Sequence, residues 1–369
     1  MNNKIIYYLT YQDFPANTAN SQQTIATCKY FIRNNYEVKL FFPLRSEHSD
    51  DNISNLKKHY EFTEERFDAS GILHKTNFEG SKNFKKFRYI FGHILWAKQS
   101  IKKILKEHED PSVFFTRSDW IFYFLSRNNK PVAFECHKLT GIRKKLIRIA
   151  IKKDFSKIIF VNDKLKNEAK IKPKYFEKVL IQSAGYDQDF FYTSDEKISK
   201  QIVYAGSLKR LGFSRNLDYI INSFSDKRLS DFNLNIFGGS ENEIKSLKRK
   251  YEHIPNVMFS KHVTKTRLGK EFAKSEIGIL ASSDDAYSKH FTNPLKFYEY
   301  VAAGLKIVAT NFPSHRNLEK YSNITFFTYD DSESFIKSVL EAHENNNVKQ
   351  VNNISTLDSR VKNIINFIS

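Results

Sequence analysis

Residues 111–137 read PSVFFTRSDWIFYFLSRNNKPVAFECH, an apolar run, an amphipathic stretch and a second apolar run. The outer segments have the length and composition of buried strands, and the middle segment, 117–128, is typical of a helix. A strand, a helix and another strand in this order predict a βαβ unit with parallel strands. This stretch therefore predicts an α/β protein.

The same alternation extends from this stretch in both directions. On the N-terminal side it predicts strands at 5–10 and 37–42 and a helix at about 22–34. We therefore predict one doubly wound, Rossmann-like domain with a parallel sheet over residues 1–192. Its further predicted elements are helices at 142–154 and 165–171 and strands at 157–163 and 178–184.

A second series of strands and helices follows the charged stretch 193–200, which we interpret as a domain boundary. It predicts a second Rossmann-like domain over residues 199–352. The final segment, 355–369, has apolar residues at helical spacing, and either domain could cover its apolar face. The strands predicted in the second domain are 201–207, 233–239, 256–261, 277–282, 306–311 and 324–329.

The composition is that of a folded two-domain protein. The chain has 369 residues, 40% of them hydrophobic, including 33 Phe and 19 Tyr, which excludes a disordered chain. The two cysteines, Cys28 and Cys136, lack the spacing of a metal site or a redox motif, as expected in a reducing compartment. Because no signal peptide or membrane-spanning run is found, we expect a cytoplasmic protein, soluble or peripheral at the inner face of the cell membrane.

The net charge of +18 predicts an anionic partner: a phosphorylated substrate, a membrane surface or a nucleic acid. Basic residues concentrate in 82–106, where they alternate with aromatic residues, and in 138–157. A basic helix with apolar spacing can lie on an anionic membrane, although a solvated basic face over a buried stripe has the same pattern. No nucleic-acid-binding motif is present, so we expect no nucleic acid partner.

Ligands of open α/β sheets bind at the carboxyl ends of strands, so the residues after each strand are the site candidates. Pro15, Asn17, Asn20 and Ser21 follow the first strand and precede a helix whose free amides suit an anionic or hydroxyl-rich ligand. This acceptor-side loop lacks the glycines of a dinucleotide-binding loop. An ordinary loop capped by Asn20 or Ser21 is the alternative.

His137 ends the strand that contains Glu135. An imidazole at a strand end can hydrogen-bond a sugar hydroxyl or an oxyanion, although a single histidine is more often structural.

Two strands of the second half end in glycine, at Gly206-Ser207 and at Gly238-Gly239. Glycine permits close approach of a ligand to the backbone, and the cations Lys209 and Arg210 suit a diphosphate. A solvated basic turn and a simple Gly-Gly turn are the alternatives.

The longest candidate segment is 292–304, TNPLKFYEYVAAG, which precedes the strand 306–311. Pro294 suits the first turn of a helix, Gly304 suits its C-cap, and Lys296 and Glu299 share one face. A helix N-terminus for phosphate, a carboxylate for ribose hydroxyls and a lysine for charge would form a nucleotide site; a solvated i,i+3 pair has the same spacing. The donor-binding residues predicted here are Thr292, Asn293, Pro294, Leu295 and Lys296.

Taken in order, these segments resemble the large family of retaining glycosyltransferases that contains many bacterial polysaccharide and lipopolysaccharide enzymes. The resemblance covers nearly the whole chain. Its most specific part is PLKFYEYVAAGLKIVATNFPSHRNL (294–318), which is similar to the family's donor-site helix and following strand. Further parts are FTRSDW (115–120), AFECH (133–137), SAGYDQDFF (183–191) and IVYAGSL (202–208).

The resemblance implies the glycosyltransferase B fold, in which two Rossmann-like parallel-sheet domains face a cleft and the C-terminal helix packs back on the first domain. It implies no metal and no cofactor, with a nucleotide diphosphate sugar as co-substrate. It assigns catalytic roles to His137, near the transferred sugar, to Glu299, on the donor ribose, and to Arg210. Arg210 or Lys209 would bind the diphosphate.

The sequence departs from the family pattern at two places. The glutamate that often stands eight residues before Glu299 is Phe291 here. The arginine and the Lys-Gly pair of the phosphate loop appear as Ser207 and Leu211-Gly212. Another residue must therefore contact the sugar in place of the missing glutamate. The change in the phosphate loop leaves open which cation binds the diphosphate.

The resemblance implies transfer of a hexose-type sugar, with retention of configuration, to a glycan or lipid-linked acceptor in cell-surface polysaccharide synthesis, such as lipopolysaccharide or capsule. A sugar-nucleotide epimerase or hydrolase of the same fold is an alternative. A basic nucleic-acid-binding protein is a third hypothesis, motivated by the net charge alone.

Overall fold

The computed structural model describes residues 4–45, 49–74, 82–210, 213–345 and 354–369. Residues 82–86, 209–210 and 213–214 are described by their backbone alone. The chain forms two compact units: Met1–Ser183 together with Leu357–Ser369, and Ala184–Thr356.

The first unit contains a seven-stranded parallel sheet with seven surrounding helices among the described residues. Its strands are β1 (Lys4–Leu9), β2 (Tyr36–Leu44), β3 (Phe67–Leu73), β4 (Val113–Thr116), β5 (Val132–Cys136), β6 (Ser156–Phe160) and β7 (Val179–Ile181). Their order in the sheet is β3-β2-β1-β4-β5-β6-β7. Its helices are α1 (Ala19–Arg33), α2 (Ile53–Tyr60), α3 (Lys82–Glu107), α4 (Asp119–Arg127), α5 (Gly141–Ala150), α6 (Asp163–Ala169) and the C-terminal helix (Leu357–Ile368).

The second unit contains a six-stranded parallel sheet and a small antiparallel hairpin. The sheet strands are β8 (Ile198–Ala205), β11 (Asn233–Phe237), β12 (Val257–Ser260), β13 (Ser275–Leu280), β14 (Lys306–Thr310) and β15 (Ile324–Phe327), and the hairpin strands are β9 (Lys209–Arg210) and β10 (Phe213–Ser214). The sheet order is β12-β11-β8-β13-β14-β15. The α-helices of this unit are α7 (Asp218–Asn222), α8 (Glu241–Lys250), α9 (Lys265–Lys274), α10 (Ala286–His290), α11 (Leu295–Ala302), α12 (Pro313–Arg316) and α13 (Ser332–Glu344).

The predicted α/β class with two parallel sheets is confirmed. The central strands are covered on both faces, as in β4 (VFFT) and β5 (VAFEC), which are buried at every position. Strand β3 was not predicted. It lies at the sheet edge, and its sequence FDASGIL is only partly buried, so it lacks the continuous apolar run of an inner strand.

The first unit ends at Ser183, nine residues before the predicted boundary at 192. Tyr186 pairs with Thr356 in a parallel bridge of the second unit. A side chain at Gly185 would lie 2.6 Å from the carbonyl oxygen of Ser355, so only glycine allows this approach. Phe191 is buried in the core of the second unit, where residues 184–192 therefore belong.

The C-terminal helix, α14 (Leu357–Ile368), packs on the first unit. Leu357, Val361 and Ile364 are buried in the same core as residues of α1, β1 and β2. Between them, the wholly buried Arg360 forms an ion pair with the wholly buried Glu135 of β5. Its Nε also donates to the carbonyl oxygen of Ser183, 3.1 Å away.

We expect Arg360→Met to lower the free energy of unfolding of the protein by about 3–5 kcal/mol, because it leaves the buried Glu135 carboxylate without its main partner. Chemical denaturation measures this change. The matched control is Lys362→Met on the same helix, whose exposed ion pair with Asp358 contributes at most about 1 kcal/mol. Equal effects of the two substitutions would contradict the importance of the buried pair.

Candidate functional site

Each sheet has one point at which the strand order reverses. In the first unit the order reverses between β1 and β4, and in the second between β8 and β13. The loops that leave two such strands run in opposite directions and open a crevice at the carboxyl edge of the sheet. Arg117, directly after β4, and Gly206, directly after β8, follow strands at these two points.

At the first point, Arg117 connects three elements. It follows β4, and its guanidinium donates to the carbonyl oxygen of Asn20 (3.2 Å) and to Oε1 of Gln23 (2.8 Å), both in α1. Its Nη2 lies 2.6 Å from Nε2 of His137, which follows β5. Its Nε is 3.8 Å from Glu135. Arg117 was not among the predicted site residues.

His137 is held between a cation and an anion. Its Nε2 lies 2.9 Å from Oε1 of Glu135 as well as next to Arg117. Burial, followed by the Arg117 charge, lowers the pKa of His137 to about 4, against the opposing effect of Glu135. The ring is therefore neutral near pH 7, with its Nε2 in contact with both the Arg117 guanidinium and the Glu135 carboxylate.

The buried cluster contains two guanidinium groups for one carboxylate. Burial by itself raises the pKa of Glu135, but the charges of Arg360 and Arg117 and the contact with His137 lower it below its usual value. Glu135 is therefore ionised at neutral pH. With a neutral His137, the cluster of Arg117, Glu135 and Arg360 carries one excess positive charge.

The acceptor-side loop differs from its prediction. Helix α1 begins at Ala19, three residues earlier than predicted, because the Thr18 side chain caps it by accepting from the Ser21 amide (3.1 Å). Ser21 is wholly buried, and its hydroxyl donates to the carbonyl oxygen of Ala16. Asn17 and Asn20 are exposed, and Pro15 is half-buried.

At the second point, two glycines are required by the packing of neighbouring loops. Gly238 has φ +138°, and a side chain there would lie 2.0 Å from the carbonyl oxygen of Gly206. Gly239 has φ +85° and would meet Leu208 at 2.6 Å. Gly206 and the exposed Ser207 directly follow β8. The glycines thus bring the loops after β8 and β11 together.

Arg215 is a cation at this edge that was not predicted. Its Nη1 donates to the carbonyl oxygen of Ala281, directly after β13 (3.0 Å), and its buried Nε has no hydrogen-bond partner among the described residues. The next residue, Asn216, has φ +50°, a conformation that asparagine tolerates better than most residues. The predicted cations Lys209 and Arg210 form β9, but their side chains lie outside the described part of the chain.

Helix α11 places the predicted Lys296 and Glu299 side by side. They form an ion pair, with 29% and 14% of their side chains exposed. Pro294 is the N-cap rather than a residue of the first turn, and no side chain of the described residues caps the helix. The Phe297 amide donates to the carbonyl oxygen of Pro294 (3.1 Å), which leaves the amides of Leu295 and Lys296 available to an anion. Gly304, with φ +69°, follows the C-cap Ala303 instead of being the C-cap.

The residues before α11 are tied to its surroundings. Thr292 donates to the carbonyl oxygen of Ser288 (2.9 Å), and Asn293 accepts from the hydroxyl of Tyr298 (2.8 Å). Phe291, where the family pattern has a glutamate, stacks against Tyr287. The neighbouring His290 has a buried Nδ1 without a hydrogen-bond partner in the described residues.

A cavity of about 550 Å³ lies at the carboxyl end of β12. It is lined by Ser260 at the end of β12 and by residues 261–264 of the following loop, together with Ile244 and Lys248 of α8 and Arg267 of α9. Its volume falls in the range of small-molecule sites. The amide of His262 lies 3.4 Å from the carbonyl oxygen of Gly239, which connects this loop to the glycine turn.

Residues 199–345 match the family model described as glycosyl transferases group 1. The match lies within the second unit and confirms the family resemblance over that segment. No curated protein matches the sequence of the chain.

The folds of several solved structures are similar over both units. Sucrose-phosphate synthase from Thermosynechococcus elongatus aligns with a TM-score of 0.65 at 11% identity, covering 99% of this chain and 94% of that one. The HepE protein of Anabaena in complex with UDP aligns with a TM-score of 0.63 at 11% identity, covering 97% and 94%. WaaG, a glycosyltransferase involved in lipopolysaccharide biosynthesis, aligns at 0.59 and 12% identity, covering 98% and 95%. The predicted glycosyltransferase B fold is confirmed.

We expect the ring of His137 to remain neutral at pH 5.5 in the folded protein, because its pKa is lowered to about 4. In the unfolded chain the pKa is about 6.5, so the unfolded state takes up a proton first as the pH falls. This contribution to stability is therefore present above about pH 6.5 and decreases toward pH 4. NMR of labelled histidine rings, assigned with His137→Asn, measures the titration. The same protein in urea is the control, and a folded-state pKa of 6.5 or higher would contradict the described environment.

Proposed function

We propose that the protein is a glycosyltransferase that binds a nucleotide diphosphate sugar through its second unit and transfers the sugar to a hydroxyl of an acceptor. The Lys296–Glu299 pair at the uncapped start of α11 carries this proposal, because it combines a cation, a carboxylate and free amides in one place. These residues lie inside the segment that matches glycosyl transferases group 1. The HepE structures with UDP and with UDP-glucose support a nucleotide sugar as the donor.

The diphosphate would be bound by three kinds of positive group. These are the first amides of α11, the ammonium of Lys296 and the guanidinium of Arg215, which has a buried Nε without a partner in the described part of the chain. A guanidinium suits a phosphate because it donates in parallel from two nitrogens. Lys209 and Arg210, with Gly206 and Ser207, belong to the loop region after β8 and would complete the proposed diphosphate site.

Glu299 would accept the two ribose hydroxyls of the nucleotide. Only a small part of its side chain is exposed, so a hydrogen bond to its carboxylate is stronger than one made in bulk water. The cavity beside β12 would hold the base, since residues 260–264 line it and His262 connects this loop to the Gly238-Gly239 turn. His290 would contact the sugar in place of the missing glutamate at Phe291.

In the proposed reaction, the bond between the anomeric carbon and the β-phosphate oxygen breaks while the acceptor oxygen bonds to the same carbon. The acceptor proton passes to the departing phosphate, and attack from the same face retains the anomeric configuration. The negative charge that develops on the leaving group is stabilised by Arg215, Lys296 and the helix amides. This arrangement supplies positive charge without a metal ion.

The first unit would bind the acceptor and sugar hydroxyls. Arg117 and the neutral His137 offer donors and an acceptor at the carboxyl edge of the first sheet, and the exposed Asn17 and Asn20 lie in the adjoining loop. A glycan or lipid-linked acceptor and a role in cell-surface polysaccharide synthesis fit this assignment. The similarity to WaaG supports that role, and we propose a hexose as the transferred sugar.

Analysis of the products separates transfer from epimerisation or hydrolysis. NMR of a reaction with nucleotide sugar and acceptor should show a new glycosidic bond with the donor's anomeric configuration. Release of free sugar or an epimer with no transfer to any acceptor would favour the alternative enzymes.

We expect Glu299→Gln to weaken binding of the preferred nucleotide, UDP or GDP, by about 10-fold to 100-fold. A hydrogen bond to a charged group contributes about 1.5–3 kcal/mol, and the amide retains the shape of the side chain. Isothermal titration measures the affinity. Glu319→Gln, in an exposed ion pair of the same unit, is the matched control and should bind as the unsubstituted protein does. Unchanged affinity of Glu299→Gln would remove this residue from the ribose site.

We expect transfer to continue in excess EDTA. Replacement of Arg215 by Met should lower kcat by about 100-fold or more, because it removes one group that would stabilise charge in the transition state. Because Arg215 also bonds to Ala281, thermal unfolding of the variant must be measured alongside. Complete loss of activity in EDTA, restored by Mg²⁺, would contradict the proposed role of the fixed cations.

A further inference from the structure

Three helices form one layer of the first unit and leave apolar side chains exposed on its outer side. Helix α4 packs between α3 and α5. On α3, Phe87, Phe91 and Leu95 are spaced four residues apart and therefore share one face. Phe87 is 68% exposed and Phe91 54% exposed, and their rings stack at 6.3 Å.

The neighbouring helices continue this pattern with residues that suit a boundary between water and hydrocarbon. On α4, Trp120 and Tyr123 are half-buried, with ring centroids 6.2 Å apart. On α5, Ile142 and Ile149 are 52% and 48% exposed, and the exposed Lys145 lies between them on the same face. Such exposed aliphatic and aromatic residues, grouped on adjacent helices, mark an interaction surface.

Basic residues far outnumber acidic residues in this layer. Glu107, the last residue of α3, lies 3.8 Å from Lys103. Neither 82–106 nor 138–153 contains an aspartate or glutamate. The one acidic residue of α4, Asp119, forms an ion pair with Arg143 at 3.1 Å. Lys145, Lys152 and Lys153 are exposed. A partner of this surface must therefore be both anionic and able to receive apolar side chains.

We propose that the outer side of α3, α4 and α5, together with the turn 151–153 that follows α5, binds the surface of a bilayer of anionic phospholipids; this surface is termed the docking face. Phenylalanine, leucine and isoleucine side chains would enter the acyl boundary, Trp120 and Tyr123 would lie at headgroup level, and the lysines would meet the phosphates. A nucleic acid would satisfy the charge but would leave the aliphatic side chains in water. Among the described helices, none has the length and hydrophobicity of a membrane-spanning segment.

This inference does not depend on the proposed transfer reaction. Binding to vesicles is measured without donor or acceptor, so failure of one proposal leaves the other testable. If both hold, the docking face would bring the enzyme to lipid-linked acceptors.

Co-sedimentation with vesicles tests the docking face. The full chain should bind vesicles of phosphatidylglycerol and phosphatidylcholine in equal parts at least about tenfold more tightly than vesicles of phosphatidylcholine alone, and added salt should weaken binding. Phe87→Ser with Phe91→Ser, and separately Lys145→Gln with Lys152→Gln, should each lower the affinity about tenfold or more.

Control variants change exposed apolar and basic residues of the second unit. Met258→Ser removes an exposed apolar side chain, and Lys270→Gln with Lys274→Gln removes two exposed charges. Both controls should bind vesicles as the unsubstituted protein does, and all variants should unfold at the same temperature.

Three results would overturn the proposal. They are equal binding to neutral vesicles, no binding to anionic vesicles, and loss of binding in the controls to the same degree as in the docking-face variants. Duplex DNA is included as a competing polyanion. If the protein binds DNA and the lysine substitutions weaken vesicle binding while the phenylalanine substitutions do not, the surface is a general polyanion site instead.

Discussion

Reversal of strand order in a parallel sheet is the constraint on which both candidate sites depend. Consecutive parallel strands are joined by crossover connections. At the point of reversal, the connections from the two neighbouring strands run to opposite sides of the sheet. In the first unit that point lies between β1 and β4, and in the second between β8 and β13. The polar residues that follow these strands cannot be covered by a crossover helix there, so they stay accessible to a ligand.

The inner strands could be predicted because parallel strands are buried on both faces and appear as continuous apolar runs. The strands that were not predicted lack such apolar runs. Strand β3 is a half-exposed edge strand, and the β9–β10 hairpin has only two residues in each strand, too few for any periodicity. The start of α1 was placed late because Thr18, Asn20 and Ser21 are all capable N-caps, and only the structure shows which side chain accepts the amide.

The candidate site was predictable only where its residues are close in sequence. Lys296 and Glu299 lie three apart on one helix, so their spacing alone predicts that they meet. Arg117, Arg215 and Arg360 reach their partners through the tertiary fold, across 20, 66 and 225 residues respectively. Near Arg215, the following Asn216 is a local indication of an irregular loop, because asparagine tolerates the positive φ found there.

The energetics of the cluster around Glu135 favour a functional explanation over a purely structural one. A buried ion pair is weak evidence for stability, because apolar residues of similar volume often pack as well or better. Here the free-energy cost of burying charge is increased by a second guanidinium, that of Arg117, whose Nε lacks a hydrogen-bond partner in the described part of the chain. Arg117 nevertheless fixes α1 and His137 to each other at the carboxyl edge of the sheet. Excess positive charge at this position disfavours folding on its own account, and it is the property that the proposed binding of a hydroxyl-rich or anionic ligand would use.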